Sequence, residues 1–103
     1  MGRPTKGKRI SKIPQYQKFY GENKFQEKIV LLVEEYETIR LIDYLGYSQE
    51  ECAKEMHIAR TSVQSLYSDA RRKLARFLIE GIGLVISGGN YQLKEFTNKE
   101  NIK

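Results

Sequence analysis

Apolar positions recur along the middle of the chain with a spacing that changes from segment to segment, and each change marks an element. Ile29 to Val33, IVLLV, is a continuous and largely β-branched run, which predicts a short buried strand. Glu34 then opens a stretch in which Tyr36, Ile39, Ile42 and Leu45 recur every three residues, with Leu41 widening the stripe. That is close to the period of a core-facing helix, and Gly46 ends it. Ser48-Gln49-Glu50-Glu51 reads as a capping box that starts a second helix, whose inner face is Cys52, Ala53 and Met56. His57-Ile58-Ala59 leaves room only for a tight turn into another helix. In that third helix Val63, Leu66, Ala70, Leu74 and Phe77 fall on one face, with Tyr67 and Leu78 beside them. Its opposite face is polar: Ser62, Ser65, Asp69, Arg72 and Arg76, flanked by Arg60, Thr61, Gln64, Ser68 and Arg71. After Gly81 and Gly83, LVIS is strand-like, Gly88-Gly89 suits a two-residue hairpin turn, and Tyr91-Gln92-Leu93 is the expected return strand.

The ends of the chain lack such order. Residues 1–27 contain both prolines, Pro4 and Pro14, and scattered aromatics from Tyr16 to Phe25, with neither a helical nor a strand period. They read as a basic N-terminal arm whose aromatics anchor its end by packing. Residues 28–96 form the expected helix-turn-helix domain, and 97–103 a polar tail. The predicted fold is therefore mainly α: a three-helix core with a short strand before it and a small β-hairpin after it. IVLLV and LVIS have the composition to pair with each other, within one subunit or across two.

Charge sharpens this picture. The formal net charge is +5, and it is unevenly placed. Residues 1–20 hold six basic residues and no acid; residues 21–58 hold four basic and nine acidic residues; residues 59–79 hold five basic residues and one acid. Two basic segments flanking an acidic one suit a polyanion met by an arm and a helix. The lone Cys52 excludes an intramolecular disulfide and, with His57 as the single histidine, offers no zinc-ligand set. No cofactor, metal or membrane span is expected, and the chain reads as soluble, unprocessed and cytoplasmic. One histidine and one cysteine without an acid cluster also leave no general-base or nucleophilic site, so an enzyme is not expected.

Duplex DNA is the expected partner. An α-helix of about 10–12 Å diameter fits the major groove, and its leading turns face the bases in helix-turn-helix proteins. This nominates Arg60, Thr61, Ser62, Gln64 and Ser65 as base contacts, with Arg60 suited to guanine and Gln64 to adenine. Gln49, Ser68, Arg71, Arg72, Lys73 and Arg76 are expected on the phosphate backbone. In the arm, Arg3, Lys6, Lys8 and Arg9 are candidates for the minor groove, through Gly2-Arg3-Pro4, or for phosphates. A transcription regulator acting as a homodimer follows from the single reader helix. A protein-interaction adaptor of the transcription machinery is the alternative.

Residues 48–74, SQEECAKEMHIARTSVQSLYSDARRKL, resemble the helix-turn-helix of sigma-factor region 4. The RPTKGKR start, the EYETIRLIDYLGYSQEECAKEM centre and GGNY at 88–91 together resemble a small, largely uncharacterised prokaryotic family of predicted DNA-binding proteins. The resemblance implies a sigma-like reader helix and a regulatory role. It also implies that some members carry a further C-terminal domain similar to those that bind iron-molybdenum cofactor, which is not expected within this chain. Ala59 stands where that pattern places Ser, so the reader helix is expected to lack a side-chain cap worth about 1 kcal/mol. Leu32-Val33 replaces a Thr-containing entry to the first helix.

Overall fold

The computed structural model describes residues 8–24 and 27–93. Its elements are β1 (Lys8–Ile10), β2 (Lys18–Phe19), β3 (Ile29–Leu31), α1 (Val33–Thr38, continued by a π-helical segment Ile39–Tyr44), α2 (Gln49–Met56), α3 (Arg60–Glu80), β4 (Leu84–Ile86) and β5 (Tyr91–Leu93). The helical part follows the expected order, whereas the strands correct the reading in three ways, and the fold is mixed α/β rather than mainly α.

First, no hairpin forms at Gly88-Gly89. β4 pairs in parallel with β3 and antiparallel with β2, while β5 pairs in parallel with β1. IVLLV and LVIS thus do meet, within one chain. The two glycines, at φ +74° and +103°, carry the backbone across the start of α1 instead of reversing it. Gly88 O accepts from Val33 N at 3.3 Å, Asn90 N donates to Glu34 Oε2 at 3.1 Å, and Lys8 N donates to Asn90 O at 3.2 Å. Gly89 must be glycine here, because a Cβ would overlap Glu34 Oε1 and the backbone is left-handed.

Second, the stretch expected as an arm anchored by its aromatics is so anchored, and it also contributes two strands. Ile10 is fully buried, and the Phe19 ring meets Phe77 of α3 edge to face at 6.4 Å. Tyr16 and Phe19 also lie over α1, lining with Tyr36, Ile39, Arg40 and Tyr44 a groove of about 420 Å³. Strands of two and three residues are too short to print a period, and their partners stand near the other end of the chain. Asn23 closes this segment onto α3: its N–H and side-chain amide donate to Gly81 O and Glu80 O, at 2.9 and 3.1 Å.

Third, IVLLV gives strand only to Leu31. Leu32 becomes the cap residue of α1, its N–H donating at 2.9 Å to Glu35 Oε1, and Val33 is the first helical residue. The stripe beyond it is also shifted. Leu41 is buried, Ile39 and Ile42 are half-buried and Leu45 is exposed. Widening accounts for this: Leu45 N bonds Arg40 O, and Tyr47 N bonds Leu41 O, so the turn is longer than α and rotates later residues out of register.

The central acids point inward. Glu34, Glu35 and Glu37 are each at most 3% exposed, and a buried carboxylate persists only with partners. Glu34 takes the Asn90 N–H. Glu35 takes Lys73 Nζ at 2.7 Å, and Glu37 takes Arg40 twice, at 2.9 and 3.0 Å, and Ser11 N at 3.3 Å. One turn of α1 is in this way tied to the β5 approach, to α3 and to the end of β1.

Candidate nucleic-acid interface

The α2–turn–α3 unit is built as its sequence predicts. Ser48 Oγ accepts from Glu51 N at 3.0 Å while Glu51 Oε1 accepts from Ser48 N at 2.8 Å, so both halves of the capping box are present. Cys52, Ala53 and Met56 are buried, and burial pushes the Cys52 thiol up to about 11, which makes it an inert core residue. The turn carries a feature the pattern did not announce: His57 adopts the left-handed region, φ 58°, and Ile58 N reaches back to Ala53 O at 3.1 Å. This reverses the chain within three residues and starts α3 at Arg60. Ala59 provides no side-chain cap, as expected.

α3 is anchored through Val63 and Ala70, both fully buried. On its other side Arg60, Thr61, Gln64, Ser65 and Ser68 are exposed and Ser62 is half-buried, as is Gln49 at the start of α2. Arg60 and Gln64 make no side-chain hydrogen bond or ion pair among the described residues. At 3.6 residues per turn Arg60, Gln64, Tyr67 and Arg71 share one stripe about 60° wide and roughly 16 Å long. Tyr67, grouped with the apolar face by spacing, thus also edges the polar one.

The basic residues further along α3 are all engaged. Arg71 Nη1 donates to Tyr67 Oη at 3.1 Å, and its Nε lies 3.8 Å from Asp43 Oδ2. Arg72 pairs with Asp69 at 3.0 Å, and Arg76 grips Glu80 at 3.0 Å, a hydrogen bond that raises the Arg76 pKa. Lys73 turns towards the core and holds the buried Glu35 carboxylate. Four of the six nominated backbone contacts therefore have partners in the chain itself. In the former arm, Lys8 and Arg9 lie in β1 and are half-buried, with Arg9 Nε buried and unpartnered among the described residues. Arg3, Lys6 and the tail at 97–103 lie outside the described residues.

The residues that spacing missed are Asp43 and Tyr67, joined by a 2.6 Å hydrogen bond from Tyr67 Oη to Asp43 Oδ1. That bond, ahead of desolvation, raises the Tyr67 pKa and keeps the phenol protonated. A helical wheel places Tyr67 in line with Gln64 and Arg71, but its partner on the π-helical segment could not be read from period. Among the described residues no cluster of three His, Cys, Asp or Glu side chains could hold a metal ion, and no helix is long and apolar enough to cross a membrane.

Fold and surface define a small mixed α/β domain that presents one polar helix face beside a tight interhelical turn. The chain belongs to the family described as "Protein of unknown function DUF134", whose model matches residues 1–94. It is 46% identical over 99 residues to a UPF0251 protein of Desulfitobacterium hafniense (strain Y51), covering 90% of this chain and 77% of that relative. It is also 44% identical over 94 residues to a UPF0251 protein of Ruminiclostridium cellulolyticum, covering 91% and 74%. A UPF0251 protein of Clostridium tetani matches at 44% over 97 residues, covering 91% of this chain and 66% of its own length. No solved structure matches.

Proposed function

We propose that this protein is a cytoplasmic, non-enzymatic transcription regulator that binds duplex DNA as a homodimer, with a sigma region 4-like helix-turn-helix formed by α2 and α3. The observation that carries the reading is the leading half of α3. Arg60, Thr61, Gln64, Ser65 and Ser68 are exposed there and make no side-chain hydrogen bond among the described residues, while Val63 and Ala70 fix the opposite face to the protein. Arg60 and Gln64 lie one turn apart, the arrangement needed to address neighbouring base edges in a major groove. Membership of the family is compatible with this role but does not specify it.

The homodimer has support at the other end of the helix, where Leu78 and Ile79 are 75% and 84% exposed. That same apolar pair favours the second reading, a protein-interaction adaptor of the transcription machinery. Salt separates the two. Each phosphate neutralised adds about −0.9 to the log-log salt slope of affinity, so duplex binding should show a slope of about −3 or steeper. A partner protein held through Leu78 and Ile79 would respond little. Fluorescence anisotropy with duplexes chosen from a random pool tests the proposal, and salt-insensitive or absent binding overturns it. Light scattering that finds only monomer at micromolar concentration removes the dimer.

A further inference from the structure

We infer that Tyr67, braced by Asp43, is a positioning residue that holds the Arg71 guanidinium ready for a DNA phosphate, an inference that rests on the duplex-binding reading above. Tyr67 Oη donates its O–H to Asp43 Oδ1 at 2.6 Å, which leaves the phenol oxygen with lone pairs alone to offer. Arg71 fills that place, its Nη1 donating at 3.1 Å while its guanidinium carbon lies 5.3 Å from the centroid of the Tyr67 ring. Arg71 is thus fixed by a directed hydrogen bond and by the ring face together. Only Nη1 of the guanidinium is in a hydrogen bond among the described residues, so donors remain for an anion.

Stability alone is a poor reason for this arrangement. The Arg71 side chain is 62% exposed and Asp43 37%, and ion pairs of that exposure add little to folding. Their place is the better explanation. Arg71 continues the stripe of Arg60 and Gln64, so a groove that receives those two brings a phosphate strand past the far end of the same stripe. An arginine already held there forfeits less side-chain freedom on binding than one that must be ordered.

The test is a double-mutant cycle on duplex affinity with Tyr67→Phe and Arg71→Ala in the full chain. Tyr67→Phe should weaken binding about fivefold and leave the salt slope unchanged, because the cation is still present. Arg71→Ala should weaken it about tenfold and reduce the slope by about 0.9. The double variant should match Arg71→Ala, since Tyr67 acts only through Arg71. Effects that multiply, or a Tyr67→Phe variant that binds as the parent does, overturn the inference while leaving duplex binding standing. A parent chain without salt-dependent duplex binding overturns both. Thermal melting of the variants should stay near that of the parent, which separates positioning from folding.

Discussion

In the first three turns of α3 the exposed side chains are Arg60, Thr61, Gln64, Ser65 and Ser68, with Arg60 and Gln64 unpaired among the described residues, whereas from Asp69 to Glu80 every basic residue is paired with an acid or a phenol of the same chain. Composition assigns the basic character to the second half. The structure reverses the emphasis. A guanidinium or ammonium already satisfied by its own protein must exchange partners before it can neutralise a phosphate, and a cation bound to a buried acid does so least readily. Arg71 apart, whose guanidinium keeps donors to spare, the second half therefore serves the domain first, and the first half is the surface left open to a partner.

Changes that remove a pairing or add one test this contrast. The largest effect is expected for Lys73→Ala, which leaves the Glu35 carboxylate with only the Leu32 N–H. It should cost about 2–3 kcal/mol in urea denaturation, reduced from a fully buried pair because Lys73 is itself 32% exposed. If Lys73 were a free phosphate contact, stability would hold and duplex affinity alone would fall. Next, Arg60→Ala and Gln64→Ala should leave stability within about 0.5 kcal/mol. Each should instead reduce discrimination between the preferred base pair and others by about 1–2 kcal/mol, read by competition binding. By contrast, Arg72→Ala and Arg76→Ala should weaken all sequences alike and modestly, because each residue must leave an acid to reach a phosphate.

Two smaller effects concern how the open half is launched. Ala59→Ser supplies the cap that α3 lacks and should stabilise the domain by about 1 kcal/mol in the same denaturation assay. His57→Gly relieves a left-handed side-chain residue at the end of α2 and should add somewhat less, about 0.5 kcal/mol, after the entropy of a glycine is counted. A loss of stability in either variant would mean that the turn depends on contacts of the native side chain.

What could be read from the sequence was local. Ser48 and Glu51 state their reciprocal bonds at fixed spacing, Gly46 and Gly81 mark helix ends at positive φ, and Val63 and Ala70 state which side of α3 is held. These signals sit within one turn or one helix, so a single window contains both partners. The sheets do not. Lys8 pairs with Tyr91 and Lys18 with Val85, contacts between distant parts of the chain made by strands too short to alternate visibly. Gly88-Gly89 illustrates the cost of a local reading: the residue type correctly announced positive φ, but Glu34 turned the segment into a crossing over α1 rather than a hairpin. The candidate interface was legible to the same depth. Its exposed leading residues followed from helical period, while the engagement of Arg71 by Tyr67 and Asp43, and of Lys73 by Glu35, depends on where α1 and its π-helical extension lie against α3.

The most direct test of the division within α3 is to follow backbone amide signals by NMR while a selected duplex is added to the isotopically labelled chain. The account predicts that the largest changes fall between Arg60 and Ser68 and at Arg71, with Lys73 and the residues near Glu80 little affected. Changes confined to the helix beyond Asp69, or spread without preference along the chain, would contradict it.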